Sequence, residues 1–298
     1  MGQARTIKEL LDLGERVLSD SSHLFEDHDF RAEAEELLAF CLDVGRDDLR
    51  DDDEPTGRIR ERYLSLVARR AGGEPGPVLT GRIEFYGLDL KVWPGTFVPR
   101  PSSELTVERA VRKLSRRRSP TVVDVATGAG PIALAIAHEF PDADVWGTDI
   151  SREGLDQARR NARRLGVLNV SFRQGDMYGA LPNRLAGAVD LITGHVPYVS
   201  PGELEDLPSE VKEHDPLSTL SDLSDDGLGL VRHAISGAPR WLKPGGWLLL
   251  EISEDLGRKL QRMCARAGFE DIGIATDEDG LSIVVEARKT RRSAQPAR

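Results

Sequence analysis

Val122-Val123-Asp124-Val125-Ala126-Thr127-Gly128-Ala129-Gly130 runs directly into Pro131-Ile132-Ala133-Leu134-Ala135. A short β-branched run, a glycine turn and an alanine-rich apolar stretch read as strand, loop and helix. The glycines let the backbone approach a ligand closely, and Pro131 suits a first helical turn, where its missing N–H costs nothing. The loop stops at G-x-G and lacks the third glycine of a dinucleotide-binding turn. Asp149 follows the next predicted strand, about twenty residues on, a spacing that suits a carboxylate accepting both hydroxyls of a ribose. After the third strand, Asp176 in Gln174-Gly175-Asp176-Met177 is placed to meet an adenine amino group. Asp124 has a second reading as the residue that holds the loop, and Asp149 one as a helix-dipole partner.

Outward from the loop, the chain from residue 120 alternates strands with helices. The strands are expected at Thr121–Ala126, Asp144–Thr148, Val170–Gln174, Ala188–Thr193, Gly246–Ile252, Glu270–Ala275 and Leu281–Ala287. The clearest helix is Arg152–Leu165, with Ser151 as its N-cap and Gly166 just past its end. This pattern predicts an α/β fold with a seven-stranded, mostly parallel sheet covered on both faces. Thr276–Gly280 is too short for a crossover, so the last two strands should pair antiparallel.

The first seventy residues read as helices. Ile7, Leu10, Leu11, Gly14 and Leu18 form one apolar stripe, and Ala34, Leu37, Leu38, Cys41 and Leu42 a second. A third helix carries Ile59, Tyr63, Leu64 and Val67, after an acidic turn from Asp47 to Pro55. Residues 71–78 read as a linker, and the runs around Gly87 as a β-hairpin. The expected organisation is a helical domain over 1–75, a linker with a hairpin over 76–100, a catalytic domain over 101–290 and a disordered basic tail over 291–298.

A chain of 298 residues can bury roughly three quarters of its unfolded surface. Its net charge of −10 disfavours a dedicated nucleic-acid binder, which needs a basic footprint. The basic runs Arg116-Arg117-Arg118 and Arg288–Arg298 read as a solvated helix end and a tail. No apolar run is long enough to span a bilayer, and residues 1–20 lack a signal-peptide core. Met1-Gly2 with Thr6 has myristoylation spacing, but Thr6 with Glu9 reads better as a capping box. Cys41 and Cys264 each fall on an apolar helical face, which fits free buried thiols and a cytoplasmic protein. Seven Lys against thirty-three Arg suggest a GC-rich bacterial genome. His23, His28, His138, His214 and His233 show no metal-ligand spacing, so no metal site is expected.

After the fourth strand comes Gly194-His195-Val196-Pro197-Tyr198. The D-x-x-T-G-x-G loop, the second-strand acid and the third-strand Gly-Asp resemble those of class I S-adenosylmethionine-dependent methyltransferases. That resemblance implies S-adenosylmethionine as cofactor, with Asp124, Ala126, Thr127, Gly128, Ala129, Gly130, Asp149, Ile150, Asp176, Met177 and His195 around it. Many such enzymes that act on planar nitrogens carry N-P-P-Y or D-P-P-Y after the fourth strand. There the acceptors hold the NH₂ protons and aim the nitrogen at the methyl group, which is catalysis by positioning.

The resemblance narrows to the HemK/PrmC family. Ala68-Arg69-Arg70, Pro75, Gly81, Phe85, Gly87-Leu88, Val92, Pro94-Gly95 and Val98-Pro99-Arg100-Pro101 are similar to that family's lead-in. Glu210-Val211, His214-Asp215-Pro216-Leu217 and Asp226-Gly227-Leu228 are similar to the segment after its active site, and Leu242-Lys243-Pro244-Gly245-Gly246 with Glu251 to its fifth-strand approach. The similarity runs to about residue 288. It implies methylation of the glutamine amide in the Gly-Gly-Gln loop of peptide-chain release factors, with the N-terminal helices holding that polypeptide. It also implies catalytic roles for His195, Pro197 and Tyr198, and substrate contacts from His195, Val196, Pro197, Tyr198 and Arg100.

Four departures bear on that reading. His195 and Val196 stand at the family's Asn and first Pro, Ser102 replaces an acid of P-R-P-E-T-E, Ala126 replaces a glycine, and Asp279-Gly280-Leu281-Ser282 leaves out an Arg. A neutral imidazole accepts one hydrogen bond but cannot reproduce an amide's shape or its donor. It can instead serve as a general base, because imidazole titrates near neutrality. The residues therefore leave open a different acceptor, a small molecule or another protein, and a cofactor-binding protein without turnover. Adenine methylation in nucleic acid is disfavoured by the acidity and the missing Asn. Arg100 reads first as an ion-pair anchor, His195 and Tyr198 alternatively as packing residues.

Overall fold

The computed structural model describes residues 5–24, 29–277 and 282–291. Met1-Gly2, His28, the Asp279–Leu281 turn and residues 292–298 of the expected tail lie outside the described residues.

Three helices, α1 (Ile7–Ser19), α2 (Phe30–Leu42) and α3 (Gly57–Ala71), pack on one another through their apolar stripes. The capping box of α1 is present: Thr6 accepts the Glu9 N–H, and the Glu9 carboxylate accepts the Thr6 N–H. In α3 the buried face is Tyr63, Leu66, Val67 and Arg70. Leu64, expected inside, is 39% exposed, because the helix turns Leu66 inward at the i+3 position from Tyr63 instead. The expected linker contains a short helix, α4 (Gly76–Thr80), seeded by Pro77 in its first turn and ended by Gly81 in the left-handed region.

The hairpin β1 (Arg82–Phe85) and β2 (Leu88–Lys91) closes through Tyr86 and Gly87, at φ of 47° and 74°. Two consecutive positive φ values give the twist that two-residue hairpins need. Phe85, Leu88 and Leu90 pack into the core on one face of the large sheet. The Asn161 side chain clips the hairpin there, bonding both the N–H and the carbonyl of Lys91.

The large sheet begins after α5 (Glu104–Leu114) with β3 (Thr121–Val125), α6 (Pro131–Glu139), β4 (Asp144–Asp149), α7 (Arg152–Leu165), β5 (Val170–Gln174) and β6 (Val189–Gly194). It continues with α8 (Ser209–Lys212), α9 (Leu217–Leu220), α10 (Gly229–Trp241), β7 (Leu242–Ser253), α11 (Gly257–Arg266), β8 (Phe269–Thr276) and β9 (Ser282–Lys289). The order is β5-β4-β3-β6-β7-β9-β8; β9 runs antiparallel to both β7 and β8, and the other pairings are parallel. As expected, this is a seven-stranded, mainly parallel sheet with helices on both faces. β7 starts at Leu242, earlier than the expected Gly246, and a register irregularity between Val189 and Leu191 absorbs the Lys243–Gly246 turn. Ser151 caps α7 by accepting the Gly154 N–H, and Gly166 ends it at φ 69°. Cys41 and Cys264 are free and buried.

Because the chain winds from β3 out to β5 and then returns to place β6 beside β3, the strand order reverses at β3. Ligands in open α/β sheets bind at the carboxyl ends of strands at such a reversal. The active-site side is tied to the N-terminal helices by Arg70. Its buried guanidinium lies 2.8 Å from Glu210 of α8 and 3.0 Å from Glu33 of α2. Removing one partner of a buried ion pair leaves an uncompensated charge, at about 3–5 kcal/mol. Because Glu33 still pairs with Arg70, Glu210→Ala should cost less than that full penalty, about 2 kcal/mol, read as a lower urea midpoint, whereas substitution of the exposed Glu205 should shift it little.

Candidate active site

Asp124 sits at 1% exposure near the carboxyl end of β3. Its Oδ1 accepts the Thr193 hydroxyl at 2.8 Å and its Oδ2 the Thr127 hydroxyl at 2.5 Å, and the Ala133 N–H of α6 also bonds it. One carboxylate thus fixes the end of β6, the glycine loop and the first turn of α6. Burial pushes Asp124 up to about 6, against the lowering effect of those donors, and the nearby Asp149 adds to the rise.

Within the loop, Ala126 takes φ 52°, Gly128 φ 55° and Gly130 φ 80°. The left-handed conformation costs an L-residue about 1–2 kcal/mol, so Ala126 holds a position where a glycine would be unstrained. Gly130 is required for a second reason: an added Cβ would lie 2.9 Å from Ala158 and 3.0 Å from Phe172. It caps α6 and stands behind the loop, away from the cleft, whereas Ala126, Thr127, Gly128 and Ala129 line the cleft.

Asp149, at the end of β4, accepts the Gly128 N–H at 2.7 Å and the Ser151 N–H at 2.8 Å, one on each oxygen. Burial raises its pKa and those backbone donors oppose the rise. The Ile150 N–H also bonds Asp149, so of the roughly four acceptor directions a carboxylate offers about one remains for a ligand. Ile150 projects from the same edge at 59% exposure. Asp176 is exposed at the cleft rim, beside the buried Met177, which takes φ 46°. A space of 530 Å³ joins these residues to His195, Val196, Pro197, Tyr198 and Arg100. That is the size of a small-molecule site. Backbone N–H groups, an apolar face at Ile150 and free carboxylate directions fit an adenosyl cofactor.

At the other end of the cleft, the His195 ring stacks on Tyr198, with centroids 5.9 Å apart at 19°, and meets the Phe97 edge at 5.7 Å. Burial pushes the Tyr198 phenol up to about 12, with Glu251 adding to the rise. Val196 is packed into the core, so only part of it reaches the cleft. Gly227 supports this segment from behind at φ 67°: an added Cβ would lie 2.6 Å from both the Tyr198 carbonyl and the Ser200 nitrogen. Arg100 lies 2.5 Å from Asp215 and over the Phe97 ring, the ion-pair anchor expected first for it. Sequence reasoning assigned no role to Phe97, Ser103, Thr193 or Glu251. Glu251 carried a signal nonetheless, as a charge inside the apolar run Trp247–Ile252.

A methyltransferase-domain sequence family matches residues 117–276. A release factor glutamine methyltransferase of Burkholderia pseudomallei is 38% identical over 255 residues, spanning 81% of this chain and 86% of that relative. One of the same name from Geobacter sulfurreducens is 34% identical and spans 95% of this chain and 96% of the relative. Among solved structures, the T. thermophilus 16S rRNA N2 G1207 methyltransferase, in complex with AdoMet and guanosine, superposes with a TM-score of 0.53 at 18% identity, over 70% of this chain and 49% of that one. The fold and the matched domain define a class I S-adenosylmethionine-dependent methyltransferase. Within that class, the chain belongs to the HemK/PrmC family of release factor glutamine methyltransferases. Among the described residues no helix is long and apolar enough to cross a membrane.

The Asp124 environment has a direct signature. Its folded pKa of about 6 exceeds an unfolded value near 3.9, so protonation stabilises the fold at acid pH. That contribution is complete below about pH 4 and is lost as pH rises through 6. In a ¹³C-carboxyl NMR titration, one aspartate should change state near pH 6 and vanish from the spectrum of Asp124→Asn. A titration in which every aspartate has ionised by about pH 5 would show that Asp124 is solvated.

Proposed function

We propose that this enzyme methylates the side-chain amide nitrogen of a glutamine in a peptide-chain release factor, working in the cytoplasm. The observation that carries the reading is the extent of the family match. Relatives named for that activity align with up to 95% of this chain, the N-terminal helices included. The geometry supports it, because the wall that fits the cofactor and the His195–Tyr198 platform are two ends of one cleft.

When bound, S-adenosylmethionine supplies an electrophilic methyl group on a sulfonium. Asp149 would accept from the ribose hydroxyls with the acceptor capacity that the Gly128, Ser151 and Ile150 N–H groups leave free. Ile150 gives the adenine an apolar face, and Asp176 accepts from its amino group. The loop residues Ala126–Ala129 set how deeply the cofactor sits, while Asp124 and Gly130 hold that loop from behind. Pro197 and Tyr198 give the planar amide an apolar platform. His195 accepts one amide proton and the Val196 carbonyl the other, so the nitrogen faces the methyl group. Arg100, paired with Asp215, shapes the mouth through which a polypeptide loop enters. Rate then comes from positioning, where a misplacement of about 1 Å costs on the order of 100-fold.

Labelled cofactor incubated with a purified bacterial release factor should place one methyl on the glutamine of its Gly-Gly-Gln loop, located by tandem mass spectrometry. Tyr198→Ala should lower kcat/KM by about 100-fold. Label found only in a small-molecule fraction, with the release factor unmodified, would overturn the substrate assignment.

A further inference from the structure

Two of the positions where this chain departs from its family's motifs lie 93 residues apart in sequence yet meet at one side chain. Ser102 Oγ donates to Glu251 Oε1 at 3.2 Å, and His195 Nδ1 lies 3.5 Å from that same oxygen. Ser103 Oγ is 3.4 Å from His195 Nδ1, and Thr106 donates to Glu251 Oε2 at 3.3 Å. Glu251 is 3% exposed and sits on the interior strand β7, so its carboxylate is fixed by its backbone and by two hydroxyls. A carboxylate beside one ring nitrogen sets which nitrogen carries the proton. The ring's other face is held by Tyr198 and its edge by Phe97, which leaves the imidazole little freedom to rotate. Among the described residues none bonds Nε2, the nitrogen opposite the carboxylate on a ring that lines the cleft.

We propose that Glu251, assisted by Ser103, is a positioning residue that holds His195 with its proton on Nδ1, so that Nε2 is the base for the methyl acceptor. The proposal rests on methyl transfer to an amide at this platform and supplies what a histidine needs to replace an asparagine there. The acceptor nitrogen forms its bond to the methyl carbon as the sulfonium–carbon bond breaks and that electron pair stays on sulfur. The nitrogen's proton passes to His195 Nε2, and the imidazolium beside Glu251 later releases it to water. An asparagine accepts a hydrogen bond from the acceptor nitrogen but cannot take its proton, whereas a neutral imidazole can do both. The 3.4 and 3.5 Å separations are long, as catalytic hydrogen bonds often are before the substrate is bound. Other charged or titratable groups near the ring among the described residues include Tyr198 on its own segment, Arg100 with Asp215 behind Phe97, and Asp255, which acts on Tyr198.

The test uses the full chain without cofactor or substrate first. In ¹⁵N-histidine NMR, the signal pair lost in His195→Asn should report the Nδ1-protonated form in the native protein. In Glu251→Gln, which keeps an acceptor for Ser102 or Thr106, that form should lose its dominance. In turnover, Glu251→Gln should lower kcat at least tenfold with KM within about twofold. In a His195→Asn background the same substitution should change kcat less than twofold. An unmoved tautomer, or equal losses in both backgrounds, would make Glu251 a purely structural residue and overturn the proposal. Because the NMR arm requires no acceptor, a wrong choice of release factor would silence the kinetic arm and still leave the proposal decided.

Discussion

The buried carboxylate of Asp124 is the constraint on which the site depends. It touches the glycine loop, the end of β6 and the first turn of α6 together, through Thr127, Thr193 and the Ala133 N–H. The loop fits the cofactor, and β6 leads through Gly194 into His195, so one side chain fixes the loop relative to the segment where we propose that the acceptor sits. A register in which Asp124 faces Thr193 across adjacent parallel strands makes this possible. Desolvation raises the energy of the charged form, and three donors are needed to hold it.

Around that anchor the chain accepts local strain where a ligand must come close. Ala126 and Met177, both at the carboxyl edge, take left-handed backbone conformations that L-residues rarely adopt. Arg70, paired with Glu210 and Glu33, joins this region to the N-terminal helices, and Arg100, paired with Asp215, joins the stretch before α5 to the segment after β6. Glu210 and Asp215 belong to the segment that follows His195–Tyr198. Arg70 therefore pairs an acid of α2 with an acid of that segment.

Much of this was legible in the sequence because it depends on local signals. The strand-loop-helix at Val122–Pro131, the caps of α7 at Ser151 and Gly166, and the acids closing successive strands are all set within a few residues. The family resemblance lay in short motifs, which the comparisons bear out over most of the chain. What stayed hidden depends on tertiary contact. Leu64 and Leu66 offer the same hydrophobicity, and only packing against α1 and α2 decides which is inside. Gly130 reads as a ligand glycine, yet Ala158 and Phe172 are what demand it. Glu251 is an isolated acid in the sequence, and its meeting with Ser102 and His195 exists only after β7 is placed beside β6.

If one cleft serves donor and acceptor as described, the chain must bind S-adenosylmethionine by itself, before any substrate arrives. Calorimetric titration of the cofactor into the purified protein tests this most directly. The account predicts one saturable site per chain, weakened at least about tenfold in Asp149→Ala, a loss of about 1.4 kcal/mol that charge-assisted hydrogen bonds to a ribose readily supply. A native protein that shows no saturable binding, or an Asp149→Ala variant that binds as tightly as the native one, would contradict it.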